Sequence, residues 1–171
     1  MTEADLKRAR EQFISRWGTL GSSWGISRAM SQIHALLLVS REPLSTDEVM
    51  ASLQLSRGSA NTNLRELVHW GLIKKESLKG DRKDYFAAEK DPWKMFCIIA
   101  RERKRREVDP MLTVLKECAD LSSSAKTPEA KAFHQQIRAL EDYTKLAGSL
   151  LVKAATSEEN KLLPAVLKLF G

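Results

Sequence analysis

Residues 56–73 read SRGSANTNLRELVHWGLI, a pattern that predicts a helix capped by Ser56 and stopped by Gly71. One side of its helical wheel collects the apolar side chains Ala60, Leu64, Leu67 and Val68. Because apolar residues at this spacing form one stripe, we expect that side to face the core. The opposite side is polar and carries Ser59, Thr62, Arg65 and His69, with Asn61 and Asn63 at its flanks.

The polar side of this helix has the chemistry of a DNA-reading surface. Short hydrogen-bonding side chains and one arginine suit the base edges and phosphates of a major groove. Gly58 lies in the first turn, where it lowers helix stability and would let the backbone approach DNA closely. A helix face that is polar only because it is solvated is the alternative, and periodicity alone does not decide between the two.

The segments on either side of this helix predict a winged helix. Upstream, residues 45–48 read STDE, a capping box that opens a short helix through Leu53. Two short helices joined by a few residues are typical of a helix-turn-helix. Downstream, residues 72–78 and 85–88 have the pattern of two strands, and the intervening KGDRK has the glycine and aspartate of a hairpin turn. We therefore expect a winged helix-turn-helix with a two-stranded β wing.

The tip of the predicted wing is basic. Lys79, Arg82 and Lys83 crowd the turn, and a guanidinium on a narrow hairpin can enter a minor groove. A solvated turn rich in lysine is the alternative interpretation. The closeness of this turn to the helix-turn-helix favours a nucleic-acid contact.

The rest of the chain predicts helices on both sides of the winged helix, so the fold is mainly α. We expect an N-terminal helix in residues 1–23 and a helix of about residues 24–39 at the start of a winged-helix domain that covers residues 24–91. Residues 92–121 predict a long linker helix, kinked at Pro110 because proline removes a hydrogen bond and clashes with the preceding turn. Residues 122–171 predict C-terminal helices.

The helices at both ends of the chain carry apolar stripes without a partner in the small domain. Such a stripe must be covered, which predicts a homodimer held together by the N- and C-terminal helices. The expected contacts include Leu6, Phe13, Phe133, Ile137 and Leu140.

The predicted recognition helix and wing resemble those of MarR-type winged-helix regulators, and they are most similar to the GbsR-like branch. The resemblance includes residues 56–73, the wing sequence KGDRKDYF in residues 79–86, and the upstream motifs RWG and WGI. It extends over residues 10–115. It implies a bacterial or archaeal DNA-binding repressor that acts as a dimer and has relatives that respond to small ligands.

The resemblance also implies roles for individual residues. The expected major-groove contacts are Ser56, Arg57, Ser59, Asn61, Thr62 and Arg65. In the wing, Lys79 and Lys83 join the pair formed by Arg82 and Asp81, in which the aspartate orients the arginine. Two recognition helices of a dimer enter successive major grooves about 34–36 Å apart, so the partner is expected to be a double-stranded, pseudopalindromic operator.

Two tryptophans are the candidate effector pocket. Trp17 and Trp24 flank a glycine-containing bend, and aromatic side chains can cage a quaternary ammonium through cation–π attraction. The GbsR-like branch resembles regulators of choline and glycine betaine uptake, which gives this hypothesis its interest. Core packing is the more common role of a tryptophan on an apolar helix face.

Composition and charge favour a soluble globular protein with an anionic partner. The 171 residues are 43% hydrophobic and 29% charged, and the formal net charge is +6. Residues 45–90, however, contain eight basic and seven acidic side chains. This near balance keeps open a second function, a winged-helix module that binds another protein and no specific DNA.

The basic run RERKRRE in residues 101–107 is more typical of a solvated helix face with Glu–Arg pairs than of a DNA contact.

Several functional classes lack sequence support. The motifs of hydrolases, nucleotide-binding loops and zinc proteases are absent, so we expect no enzymatic activity, no cofactor and no metal. Cys97 and Cys118 cannot form a disulfide framework. The longest uncharged stretch, residues 29–40, is too short to span a bilayer, and the N-terminus lacks the apolar core of a signal peptide. We expect a cytoplasmic protein without a membrane partner.

Overall fold

The computed structural model describes residues 1–77 and 80–156. Contacts between residues divide the chain into two units, Met1–Met95 and Phe96–Gly171. The first unit contains the helix-turn-helix and the sheet, and the second unit is built from helices in its described residues. The domain boundaries after residues 23, 91 and 121 stay a prediction.

Two helices open the first unit. α1 spans Glu3–Ser23 and begins with a capping box, in which Thr2 and Asp5 bond each other's backbone N–H. α2 spans Arg28–Val39 with Ser27 as its cap, so the prediction that this helix begins near residue 24 is wrong. The reason is Gly25, whose φ of 76° ends α1 with a left-handed residue and leaves a turn before α2.

The two helices approach each other closely where α1 carries glycine. A Cβ atom at Gly21 would clash with Oγ of Ser31 on α2, and a Cβ atom at Gly18 would lie 2.6 Å from Cγ of Gln32. Glycine therefore allows the backbone of α1 to pack directly on side chains of α2.

The helix-turn-helix is formed as predicted by local signals. α3 spans Thr46–Leu53 and begins with the capping box of Ser45 and Glu48. α4, the predicted recognition helix, spans Arg57–Trp70; Ser56 caps its start, and Gly71 ends it with a φ of 82°. A left-handed Gln54, with a φ of 54°, lies in the connection between the two helices.

The buried side of α4 differs from the prediction at one position. Ala60, Leu64 and Leu67 are at most 1% exposed, as predicted, whereas Val68 is 38% exposed and Trp70 is buried instead. On a helical wheel, these two residues flank the apolar stripe at about 80° on opposite sides. Periodicity alone could not show which flank packs against the rest of the unit.

A three-stranded antiparallel sheet forms the wing and its base. β1 spans Leu44–Ser45, β2 spans Ile73–Ser77 and β3 spans Asp84–Ala88, in the spatial order β1-β3-β2. β2 and β3 are the predicted hairpin. β1 was not predicted, because two residues are too few to show alternation. The structure thus confirms a mainly α fold with a winged helix, and its sheet has one more strand than expected.

Helices make up the described part of the second unit, which begins at Phe96 within the first helix after the wing. α5 spans Pro92–Arg103, α6 spans Asp109–Leu121, and a π-helical turn, Lys104–Val108, connects the two. Pro110 was expected to kink or restart the helix. The α-helix does restart there: α6 begins at Asp109 with Pro110 in its first turn, and the N–H of Asp109 bonds to the carbonyl of Lys104 five residues earlier. A π-helical turn inserts an extra residue and so accommodates a proline that lacks an N–H.

The last described helix is α7, which spans Pro128–Thr156. It buries one carboxylate: Glu141 is 2% exposed and pairs with Arg138 and Lys145 on the same helix. These hydrogen bonds and charges lower the pKa of Glu141. A further C-terminal helix in residues 157–170 was predicted and lies outside the described residues.

Candidate nucleic-acid interface

The polar side of α4 presents the predicted major-groove residues. Ser56, Arg57, Thr62 and Arg65 are exposed, while Ser59 and Asn61 are half-buried. The helix is fixed from behind by the buried Ala60, Leu64 and Leu67, which determine the direction of this side. The structure therefore leaves these six residues on an accessible surface, and their contacts with bases stay a prediction.

One residue at the flank of α4 has a structural role. The amide nitrogen of Asn63 donates to the carbonyl of Ser59 at 2.8 Å, and its Oδ1 accepts a hydrogen bond from Ser27 Oγ at 2.8 Å. Because Ser27 is the cap of α2, Asn63 connects the start of that helix to α4. Its amide is engaged within the protein.

The turn of the wing is organised by Asp81. Its carboxylate accepts hydrogen bonds from the Tyr85 hydroxyl at 2.7 Å and from the backbone N–H of Lys83 at 2.9 Å. These hydrogen bonds, that of Tyr85 foremost, lower the pKa of Asp81. The predicted partner of Asp81 was the side chain of Arg82. The structure shows that the aspartate holds the backbone of the turn on which the exposed Arg82 lies. Lys79 lies outside the described residues.

A carboxylate that the sequence analysis did not single out links the wing to α4. Asp47, in the first turn of α3, pairs through Oδ1 with Arg57 at 2.9 Å and through Oδ2 with Lys83 at 3.4 Å. Its hydrogen bond with Arg57, followed by that with Lys83, lowers the pKa of the Asp47 carboxyl. Two of the predicted DNA contacts therefore share one acidic partner.

The unpredicted strand β1 explains how Asp47 reaches the wing. Ser45 is the register partner of Tyr85 on β3, and it is also the cap of α3. Asp47 follows two residues later, so strand pairing brings the first turn of α3 close to the turn of the hairpin. The only sequence signal for this placement was the capping box that begins α3.

The two tryptophans of the candidate effector pocket have different environments. Trp17 is half-buried, and its ring lies 5.3 Å from that of Phe13 and 6.3 Å from that of His34, measured between centroids. Trp24 forms the C-cap of α1, and its residue surface is 56% exposed. Trp17 thus has a phenylalanine and a histidine as aromatic neighbours, and the pocket stays a prediction.

The histidine beside Trp17 is a buried titratable group that sequence analysis did not identify. His34 is 4% exposed, and its Nε2 has no hydrogen-bond partner in the described part of the chain. Burial, assisted by the charge of Lys90, lowers the pKa of His34 to about 4. The imidazole is therefore neutral at pH 7.

An open groove of about 730 Å³ runs along the first half of α1 and the end of α2. Its lining combines apolar and charged side chains, namely Leu6, Lys7, Arg10, Ile14, Leu36 and Val39 among others. Arg10 donates to the carbonyl of Val39 at 3.3 Å and so bridges the two helices. Neither Trp17 nor Trp24 lines this groove.

The described residues offer little support for other classes of site. There, no group of three or more histidine, cysteine, aspartate or glutamate side chains could hold a metal ion. None of the helices in residues 1–77 and 80–156 combines the length and apolar character that crossing a bilayer requires. Cys97 is buried and Cys118 is half-buried.

A helix-turn-helix with a polar outer helix, next to a hairpin with arginine at its turn, defines a winged-helix DNA-binding protein. Known proteins are similar to this chain. Residues 24–84 match the family model of the MarR family. The chain is 26% identical to the HTH-type transcriptional repressor GbsR of Bacillus subtilis, with 96% of each chain covered. It is also 26% identical to the HTH-type transcriptional regulator MmpR5 of Mycobacterium tuberculosis, over 77% of this chain and 75% of that protein.

A solved structure shows the same fold. It is described as the crystal structure of a transcriptional regulator, and it matches with a TM-score of 0.69 and 23% sequence identity over 86% of this chain and 95% of its own. This likeness shows the fold. The sequence relatives support a DNA-binding transcriptional regulator that is similar to GbsR over nearly its whole length and has a MarR-type region in residues 24–84.

Proposed function

We propose that this regulator works in the cytoplasm as a homodimeric repressor that binds a pseudopalindromic operator. In this proposal, α4 of each protomer enters a major groove and the wing reaches the adjacent minor groove. The observation that carries the proposal is the accessible polar side of α4 beside a turn that Asp81 holds in shape. The name of GbsR, a repressor with similarity over nearly the whole chain, supports repression as the outcome.

Base recognition is assigned to α4, and affinity without sequence preference to the wing lysines. Asn61 can pair with adenine and Arg65 with guanine, each contributing about 1–3 kcal/mol of discrimination. Lys83 offers a point charge that phosphate accepts at any sequence, and the same role is assigned to Lys79 from the sequence. We assign Arg82 to the minor groove, where the potential is most negative.

Exposed apolar side chains on α7 support the dimer. Five large ones are between 43% and 71% exposed, namely Phe133, Leu140, Tyr143, Leu146 and Leu150. Exposed apolar surface of this extent on one helix marks an interaction site more often than it marks solvent contact. On α1, Leu6 is 36% exposed and Phe13 is half-buried.

Regulation by a small molecule is a further part of the proposal. An effector would act by preferring one spacing of the two recognition helices over another, because a ligand shifts only the equilibria between states that it binds unequally. The half-buried Trp17, with Phe13 and His34 beside it, is the aromatic site that we assign to such a ligand together with Trp24.

Selection of bound duplexes from a random pool tests the proposal, because the recovered motif reports specificity, symmetry and half-site spacing together. We expect two inverted half-sites separated by about one helical turn. Asn61→Ala or Arg65→Ala should flatten the preference at one base position in each half-site. Lys83→Ala should weaken binding to all duplexes alike and reduce the salt slope by about one.

The same experiment distinguishes the proposed DNA-binding repressor from a winged-helix module that binds a protein. Recovery of no motif, with duplex binding that is weak and insensitive to salt, would favour a winged-helix module for a protein partner. A motif without inverted symmetry would contradict the dimeric mode of binding while leaving DNA recognition in place.

A further inference from the structure

Asp47 lies at the meeting point of the two elements that are expected to contact DNA. One carboxylate oxygen pairs with Arg57 at the start of α4, and the other pairs with Lys83 in the wing. The three side chains are all well exposed, at 48% for Asp47, 66% for Arg57 and 57% for Lys83. The acidic group therefore lies on the same accessible surface as the two cations that it holds.

This arrangement contributes little to folding. Ion pairs between exposed side chains are screened by water and salt, and ordering two long side chains costs entropy. The effect of these three charges on the binding of a polyanion is larger than their effect on folding. The two positive charges and the one negative charge leave a net charge of only +1 at this place. The carboxylate thus competes with phosphate for Arg57 and Lys83.

We infer that Asp47 is a specificity-determining residue of this regulator, which restrains binding to non-cognate DNA by holding Arg57 and Lys83. Non-cognate binding depends almost entirely on attraction between basic side chains and phosphates, so the negative charge of Asp47 weakens it directly. Cognate binding also depends on side chains held in position, and Asp47 supplies that order to both elements. The inference rests on the placement of α4 and the wing on DNA that is proposed above.

The first test measures affinity for a random duplex of fixed length by fluorescence anisotropy between 50 and 200 mM salt, conditions in which phosphate contacts dominate. Asp47→Asn removes the charge and keeps the shape of the side chain. We expect its affinity to rise about eightfold at 0.1 M salt and its salt slope to steepen by about one, the effect of one additional phosphate contact. Damage to the fold would lower affinity, so a rise identifies the electrostatic role.

The second test compares the random duplex with the operator recovered from selection. Operator affinity of Asp47→Asn should rise less than random-duplex affinity, because Arg57 and Lys83 lose their fixed orientation and must be ordered on binding. The ratio of the two affinities should therefore fall. Asp47→Ala removes the remaining hydrogen bonds as well and should lower the ratio further.

Asp84→Asn is the matched control, because it removes an equally exposed carboxylate that pairs with Lys75 at 2.9 Å on the sheet. We expect a smaller gain in random-duplex affinity from this variant. A second control introduces Asp47→Asn into a chain that already carries Arg57→Gln and Lys83→Gln, where most of its effect should disappear.

Three results would overturn the inference: an unchanged random-duplex affinity of Asp47→Asn, an equal gain on operator and random duplex, or an equal gain from Asp84→Asn. Each of these comparisons presupposes that the wild-type chain binds its operator. A wild-type chain that selects no duplex would instead contradict the proposed function, so the two failures are distinguishable.

Discussion

The hydroxyl of Tyr85 on β3 donates a hydrogen bond to the carboxylate of Asp81 at 2.7 Å, across the turn that carries Arg82. The same carboxylate accepts the backbone N–H of Lys83, so strand and turn are joined through one side chain. The hydrogen bonds from Tyr85 and Lys83 to the ionised carboxylate lower the pKa of Asp81. Charge-assisted hydrogen bonds of this kind give the wing a defined shape before it meets DNA.

Tyr85→Phe should weaken operator binding while the chain stays folded. The substitution keeps the ring and removes only the hydrogen bond, so the turn becomes mobile and Arg82 must be ordered on binding. We expect a loss of affinity of roughly three- to tenfold, as for one ordinary intramolecular hydrogen bond, because the bond is exposed to water. Anisotropy titration measures the effect. Thr113→Val, which removes an exposed hydroxyl that donates to the carbonyl of Asp109 on α6, is the control. Equal affinities of Tyr85→Phe and wild type would show that the wing needs no such support.

Local sequence signals predicted most of the elements around this site. The caps Ser45 and Ser56 and the stop at Gly71 depend on residues within one turn of the helix end, so their pattern is visible in the sequence. The wing turn is local in the same way. These signals also located the polar side of α4, whose direction follows from three buried residues on the opposite side.

Pairings between distant residues could not be predicted in this way. Asp47 meets Lys83 only because the two-residue strand β1 joins the sheet. The amide of Asn63 was grouped with the DNA-facing residues, and its bond with Ser27 Oγ depends on how α2 packs on α4. Periodicity reports the apolar side of a helix and is silent on which neighbour covers each flank, which is also why Val68 was misplaced.

Lys90 is a second group whose role arises from such a distant contact. Its Nζ lies 2.8 Å from the carbonyl of Leu37, 2.6 Å from that of Leu38 and 2.7 Å from that of Ser40. These carbonyls belong to the last turn and the C-cap of α2, where backbone acceptors lack partners within the helix. A positive charge there also interacts favourably with the helix dipole.

Lys90→Met should lower the free energy of unfolding by about 2 kcal/mol, because it keeps the aliphatic length and removes three hydrogen bonds from a charged donor. Chemical denaturation at pH 7 measures the change. Lys94→Met, at an exposed position on α5, removes the same charge without these contacts and should change the stability much less. If both substitutions have the same small effect, the carbonyls of α2 are satisfied equally well by water.

His34 makes stability depend on pH. Its native pKa is about 4, below the ordinary value of 6.5, because burial penalises the charged imidazolium. Between these two values the unfolded chain binds a proton that the native chain does not, so the free energy of unfolding falls as pH falls from 6.5 towards 4. The full loss amounts to about 3 kcal/mol at 1.36 kcal/mol per pKa unit.

Urea denaturation at pH 7.5, about 6 and about 5 should therefore show decreasing stability in the wild type, in the range set by the two pKa values. His34→Gln should be less stable at pH 7.5, since it disturbs the contact with Trp17, and should show a smaller loss on acidification. The difference between the two slopes isolates His34, because the carboxylates titrate in both proteins. Equal slopes would mean that His34 takes up its proton in the native state as easily as in the unfolded chain.

The exposed apolar side chains of α7 lead to the last prediction, which concerns the dimer. Leu140→Glu or Phe133→Glu places a charge on the surface that we assign to the interface with Leu6, Phe13 and Ile137, and burying that charge would be costly. We expect monomers at micromolar concentration by sedimentation, and a large loss of operator affinity because the second half-site is no longer bound through the first. Leu121→Glu, on an 84% exposed residue of α6, controls for the added charge.

Deleting the first twenty residues, or truncating before Thr127, should also lower dimer stability. A chain that is monomeric at these concentrations and keeps full operator affinity would contradict the interface and the symmetric mode of binding together, since only a dimer presents two recognition helices to an inverted repeat.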